Sequence, residues 1–175
     1  MTPETISMLK PRRLTVIPML AAAGAVIFVF ESLIPQPFPW AKLGLSNIAV
    51  LLALYFFGFR EALTVCCLRV VLGGLFTGGL LSPSFVFAIT GGVSAAAAMW
   101  LVRASFNDKL SPAGVSIAGA AAHNIGQIAA AYFFFIHHSS VWKLLPVMLL
   151  TSIFTGTIVG LAGIIIIEQV RIRRI

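Results

Sequence analysis

Six long apolar stretches occupy most of the chain and leave few polar residues to cover a water-soluble surface. Hydrophobic residues make up 59% of the 175 residues, charged residues make up 10%, and the mean hydropathy is +1.04. A helix of about 20 apolar residues crosses the roughly 30 Å hydrocarbon core of a bilayer. The sequence therefore predicts one all-α, polytopic membrane domain over residues 1–175, in contact with membrane lipid. Its six transmembrane helices are expected at about 14–34, 43–59, 62–79, 83–102, 111–136 and 144–167.

Basic residues are distributed unevenly between the two sides of this threading. Of the twelve Lys and Arg residues, nine fall on the side of both termini, Lys42 and Lys143 fall on the other side, and Arg69 lies inside an apolar stretch. Because Lys and Arg are retained on the cytoplasmic side during insertion, both termini are predicted to be cytoplasmic in a multi-pass cell-membrane protein. A nucleic-acid partner is not expected, since these charges flank apolar spans. The nine residues are Lys10, Arg12, Arg13, Arg60, Arg103, Lys109, Arg171, Arg173 and Arg174.

Two connections on the exterior side have unusual backbone composition. Residues 35–40 contain three prolines, which favour a stiff extended turn, and residues 77–83 contain paired glycines, which permit sharp bends. The two loops are therefore candidates for covering a pocket, although both could simply end helices, and the sequence leaves these alternatives open. The candidate gating residues are Pro37, Trp40, Gly78 and Gly79.

The polar residues at membrane depth are the candidates for a functional site. An Arg or Asp at a helix centre costs about 2.5 to 3.5 kcal/mol on insertion scales, so such residues usually face the bundle interior. On a ruler of about 1.5 Å per residue, Arg69 lies about 12 Å above the start of its helix, with Glu31 about 13 Å further out. His123, Asn124 and Gln127 span an arc of only about 100° and are expected to point one way. The candidate binding residues are Glu31, Lys42, Asn47, Arg69, His123, Asn124 and Gln127.

We favour a shared, outward-opening solute pocket for these groups over a purely structural role. In the structural alternative, Glu31 neutralises Arg69 or Lys42, and the amide side chains tie helices together. Lys42, Arg69 and His123 suit an anionic or hydrogen-bonding solute. Phe38, Trp40 and Tyr132 are candidates for stacking on an aromatic ring, so that a flavin-like vitamin is one candidate solute. No cofactor and no metal site is expected.

Two segments resemble a known family of membrane proteins. Lys42-Leu-Gly-Leu-Ser-Asn-Ile-Ala-Val-Leu-Leu-Ala-Leu-Tyr-Phe-Phe-Gly58, preceded by the proline-rich loop, resembles the helix 2 signature of the substrate-binding S components of energy-coupling factor (ECF) transporters. Together with Ala122-His-Asn-Ile-Gly-Gln127 in helix 5, it resembles the Gx transporter family, also labelled heptaprenyl diphosphate synthase component I. The resemblance covers about residues 14–168.

The resemblance implies a six-helix S-component fold with a solute pocket near the exterior side, gated by the loops after helices 1 and 3. It also implies that helix 1 docks through an Ala-xxx-Ala motif onto a transmembrane coupling subunit. Ala21 and Ala25 match that motif, and small residues generally allow close helix approach. An exposed strip from Ala21 to Ala25 is therefore expected. Energy would come from cytoplasmic ATPases on separate chains.

The chain lacks the residues that two enzymatic activities require. Prenyl diphosphate synthases hold magnesium and pyrophosphate through aspartate-rich motifs, whereas this sequence has a single aspartate, Asp108. It also has no G-x-x-x-x-G-K-[ST] stretch to cradle ATP phosphates. We therefore expect a non-catalytic transport subunit. The alternative is a membrane accessory subunit that anchors or supplies an isoprenoid-synthesising enzyme, and an autonomous channel is a third hypothesis.

Overall fold

The computed structural model describes residues 3–34, 44–106 and 109–172, with side chains from Arg13 onward in these ranges. The described residues contain six α-helices and no strand, which confirms the all-α class. A π-helix, Ala131–Ile136, extends α5, and a 3-10 helix, Ser139–Leu144, precedes α6. The six α-helices are α1 (Pro3–Leu33), α2 (Asn47–Phe56), α3 (Phe59–Phe76), α4 (Pro83–Ser105), α5 (Pro112–Ala130) and α6 (Leu145–Ile172).

Three segments of the described chain are long and apolar enough to cross a bilayer. They are Arg13–Leu33, Pro83–Ser105 and Ser139–Ile172. By contrast, α2 has 10 residues and is only about 15 Å long, half of the roughly 30 Å that a spanning helix covers. The chain therefore has the helices of a membrane protein, while the six predicted spans remain a prediction.

The ends of α2 differ from the predicted ends because glycines bend the backbone at both. Gly44 has φ +75° and Gly58 has φ +114°, a region that glycine adopts without steric cost. The helix is thereby confined to Asn47–Phe56, inside the predicted 43–59. Conversely, α1 begins before the predicted residue 14 and α6 continues beyond residue 167. An apolar run marks the length of helix that suits hydrocarbon, whereas a helix can continue into water.

The short helix α2 is the centre of the bundle. It contacts α1, α3, α4 and α6. Val50, Leu51 and Ala53 have no exposed surface, and the buried residues lie all round the helix rather than along one stripe. A helix that is apolar on every side is typical of a core surrounded by other helices. The first turn of α2 is therefore placed inside the protein.

The position of α1 corrects one expectation from the sequence. Ala21 and Ala25 are 1% and 2% exposed, so the exposed Ala-xxx-Ala strip is wrong. Both belong to an inward stripe that continues through Phe28 to Glu31, with the three-to-four-residue spacing that puts side chains on one face of a helix. Because that face packs into the bundle, the outward face of α1 instead carries Ala22, Val26 and Phe30.

Glycines in α6 allow α5 to approach it closely. A Cβ added at Gly160 would lie 2.4 Å from the Cα of Ala113, and one added at Gly156 would lie 2.6 Å from the Cα of Ile117. Real Cβ atoms do not approach backbone atoms so closely. Any side chain at either position would therefore push the two helices apart.

Gly160→Val is expected to destabilise the protein by about 1 to 3 kcal/mol, because the added methyl groups overpack a backbone contact that cannot relax locally. The matched control is Ile158→Val on the same helix, where the side chain is 59% exposed and little packing is lost. Thermal unfolding in detergent measures both. Equal melting temperatures for Gly160→Val and the control would show that α5 and α6 are not in the contact described.

Candidate functional site

A buried arginine on α3 is the central polar group of the bundle. Arg69 is 2% exposed. Its guanidinium donates hydrogen bonds through Nη1 to the hydroxyl of Ser46 and through Nη2 to the side-chain oxygen of Asn47, both at the start of α2. No carboxylate among the described residues lies within ion-pair distance of Arg69. The ion pair found among these residues joins Arg13 to Glu61, at 2.8 Å. The buried charge is thus held by neutral oxygens. Burying a charge in this way costs free energy, and such residues are usually retained because a function requires them.

Glu31 binds the backbone at the start of α2. Its carboxylate accepts hydrogen bonds from the N–H groups of Leu45, at 2.6 Å, and Ser46, at 3.2 Å. Those N–H groups have no intrahelical partner, and a negative charge is favourable at the positive end of the helix dipole. Ser46 occupies the N-cap position, but its side chain makes no capping bond because its hydroxyl accepts from Arg69. The carboxylate of α1 therefore caps α2 in place of Ser46.

Glu31 and Arg69 both bind Ser46, although the depth ruler placed them about 13 Å apart along the membrane normal. Part of the difference comes from α3, which begins at Phe59 and so puts Arg69 about 15 Å above its start. The rest comes from the length of the arginine side chain, since the ruler measures backbone positions only. The two charges are bridged by one residue instead of forming a direct pair.

Asn47 connects Arg69 to His123 on α5. Arginine has only donors, so the Asn47 atom that binds it must be the oxygen, and the amide NH₂ must face the other way. That NH₂ lies 3.4 Å from Nδ1 of His123. Because an amide NH₂ can only donate, Nδ1 is the acceptor in this contact. A series of hydrogen bonds therefore runs from Arg69 through Asn47 to His123.

Gln127 lies one helical turn beyond His123 on α5. Gln127 is completely buried. The side chains of Gln127 and His123 both pack on Gly91 of α4, where an added Cβ would lie 2.9 Å from Gln127 Cγ and 2.9 Å from His123 Nδ1. Neither amide atom of Gln127 has a hydrogen-bond partner among the described residues, and Nε of Arg69 also has none there. A buried polar group without a partner costs about 1 to 3 kcal/mol, and such groups usually have one. These atoms therefore mark a place for a bound molecule or water.

Asn124 points away from this cluster. It is buried, and its NH₂ donates to the carbonyl of Met148 on α6 at 2.6 Å. The expectation that His123, Asn124 and Gln127 point one way is therefore wrong for Asn124, because consecutive helical side chains diverge by about 100°. Asn124 ties α5 to α6, as the structural alternative proposed for the amides.

Of the remaining predicted residues, three lie outside the described part of the chain and two lie in a described turn. Lys42, Pro37 and Trp40 fall in residues 35–43, outside the described residues. Gly78 and Gly79 lie in the turn between α3 and α4, where Gly78 has φ +65° and the N–H of Gly79 donates to the carbonyl of Gly74 at 2.9 Å. Their gating role stays a prediction.

The sequence reasoning missed the glycines that make room for the polar side chains. A Cβ added at Gly92 would lie 3.2 Å from Nη2 of Arg69, and one added at Gly24 would lie 3.2 Å from its Cδ. Gly91 has the corresponding role for His123 and Gln127. Glycines in apolar helices usually mark general helix packing. The signal that distinguishes this pair is the polar side chains that face it from α3 and α5.

A family model described as heptaprenyl diphosphate synthase component I matches residues 20–166. The match covers most of the chain and confirms the family predicted from the segments 42–58 and 122–127. No curated protein and no solved structure gives a significant match.

Asn47→Leu is expected to destabilise the protein by about 3 kcal/mol, because it leaves the buried guanidinium without one of its two acceptors. The same substitution at Asn124 should cost only about 1 kcal/mol, since it removes one neutral hydrogen bond and Met148 keeps a bond from Thr151. Equilibrium unfolding in detergent compares the two variants. A loss for Asn47→Leu no larger than that for Asn124→Leu would contradict the role given to Asn47.

Proposed function

The chain belongs to the heptaprenyl diphosphate synthase component I family, and on that premise we propose that it is the membrane-embedded, non-catalytic solute-binding subunit of an ECF-type transporter. In this proposal six segments cross the cell membrane, both termini are cytoplasmic, and separate ATPase chains supply the energy. The proposal rests on one observation above all: the fully buried Gln127 amide, one helical turn from His123, has no hydrogen-bond partner among the described residues.

The Gln127 amide supports binding of a small polar solute. It offers one acceptor and two donors, and neither atom is used by a described residue. Arg69 Nε adds a donor with no partner among the described residues. A solute that carries its own donors and acceptors, such as the amide or imide edge of an aromatic vitamin, would match this set. Sites built to bind such groups reject ligands that lack them, which gives selectivity.

The distribution of charge supports the orientation. Arg13 forms an ion pair with Glu61 in the first turn of α3, next to Arg60. Arg103 and Arg171, in the last turns of α4 and α6, line one cavity together with Lys109. Basic residues favour the cytoplasmic side. The turn that contains Gly78 joins the opposite ends of α3 and α4, so in this proposal a solute enters from the exterior.

An apolar groove between α1 and α3 supports docking of a transmembrane partner. The groove has a volume of about 630 Å³, and its lining includes Ala22, Ala25, Val26 and Phe30 of α1 and Leu72 and Phe76 of α3. Small residues beside large apolar ones let a helix of another membrane protein approach closely. We therefore place the contact with a coupling subunit on this outward face of α1, which borders the predicted strip at Ala25 and does not include Ala21.

The family description favours a second candidate function, that of a membrane accessory subunit of an isoprenoid-synthesising enzyme. The chain has a single aspartate, which argues against catalysis of prenyl diphosphate synthesis by this polypeptide alone. Purification in mild detergent separates the candidates: a transporter subunit should bring down membrane and ATPase chains, whereas an accessory subunit should bring down a soluble prenyltransferase.

Ligand-induced thermal stabilisation tests the solute site with a panel of riboflavin, thiamine, biotin, pyrimidine nucleosides and prenyl diphosphates. At a concentration of 100 times the Kd, a ligand stabilises the folded state by about 2.7 kcal/mol. We expect stabilisation by an aromatic member of the panel. Gln127→Leu should weaken it at least about tenfold, since its hydrogen bonds to the solute are lost, while raising or preserving stability without solute.

Gln169→Leu is the matched control, because this glutamine is exposed on α6 and should leave the response unchanged. Two results would count against the transporter proposal. One is the absence of stabilisation by any member of the panel. The other is an equal response of Gln127→Leu and the wild type.

A further inference from the structure

A second cavity lies at the other end of the bundle, where α2 and α4 end, α5 begins and α6 ends. Its volume is about 440 Å³. Its lining includes one carboxylate, that of Glu168, and three basic residues, Arg103, Lys109 and Arg171. We refer to it as the basal cavity. The polar cluster around Gln127 does not share any of these residues.

Arg103 is held in place on the wall of the basal cavity. Its Nη1 donates to the carbonyl of Leu54 at 2.7 Å, and its guanidinium carbon lies 4.3 Å from the centre of the Tyr55 ring. A guanidinium that is already anchored loses little conformational freedom when an anion approaches it. The cavity therefore has one fixed cation.

Lys109 and Arg171 supply two further positive charges to the wall of the cavity, one before α5 and one in the last turn of α6. Both are exposed, and neither forms an ion pair with a described carboxylate. Helix α5 begins at the cavity wall, with Ser111 as its N-cap and Pro112 at its first position. The positive end of this 19-residue helix adds to the attraction for an anion.

The rest of the wall is apolar. Leu110, Ile164 and Ile167 line the cavity, and the adjoining outer face of α6 exposes Ile165 and Ile172. A soluble anion would gain nothing from this surface, whereas an amphiphile would place its chain there and its headgroup among the cations.

We propose that the basal cavity binds a phosphate-bearing anion, and that its occupant is the headgroup of an anionic membrane lipid whose acyl chain lies along α6. The phosphate is attracted by the positive charges of Arg103, Lys109 and Arg171. The site is independent of the solute proposal, because Gln127 and Arg69 take no part in it. It also offers a reason for the basic helix ends beyond orientation in the membrane.

Native mass spectrometry of the full chain in a neutral detergent tests the site with three probes: dioleoyl phosphatidylglycerol, dioleoyl phosphatidylcholine and pyrophosphate. We expect phosphatidylglycerol to bind, phosphatidylcholine to bind much more weakly, and pyrophosphate to displace phosphatidylglycerol only at high concentration. The double variant Lys109→Gln/Arg171→Gln should bind phosphatidylglycerol about 25-fold more weakly, since each basic residue contributes roughly a factor of five.

Arg60→Gln is the matched control, an exposed basic residue on α3 that does not line the cavity. It should change the affinity by less than about twofold, and Gln127→Leu should not change it. Tight binding of pyrophosphate with no preference for phosphatidylglycerol would support the phosphate site and overturn its assignment to a lipid. Equal binding by the double variant and the wild type, or an equal loss in Arg60→Gln, would overturn the site itself.

Discussion

The placement of one guanidinium inside an apolar bundle constrains the rest of the site. Arg69 needs oxygen acceptors at its own depth, and the start of α2 provides them as Ser46 and Asn47. Because the Ser46 hydroxyl is thereby used, the first N–H groups of α2 are capped from another helix, by Glu31. The cap in turn fixes which face of α1 points inward, which is why Ala21 shares its buried side. A single buried charge thus links α1, α2 and α3.

The series of hydrogen bonds continues from α2 to α5, where it ends before the last polar side chain. Asn47 reaches His123, but the next polar side chain, Gln127, is buried with neither amide atom bonded to a described residue. If the polar groups were there only to tie helices together, its amide should be satisfied as that of Asn124 is by Met148. A leucine of similar size would fill the same space without the desolvation cost. The contrast between the two amides is the physical case for a binding site.

The sequence predicted which residues are buried and polar but not how they are joined. Charge and hydropathy identified the membrane class, and the cost of burying Arg69 placed it inside the bundle. Helix ends were less predictable, because glycine conformation at Gly44 and Gly58 ends α2 early, and periodicity carries no such information. The direction of Asn124 depends on a one-residue difference in register, which a prediction of helix boundaries does not resolve. The space around the cluster depends on glycines such as Gly91, whose role is visible only in the contacts between helices.

The most direct measurement is an experimental density map of the full chain, purified from its native membrane with its bound solute retained. The account predicts density for a small molecule within hydrogen-bond distance of the Gln127 amide. A map in which protein groups satisfy both amide atoms would contradict it.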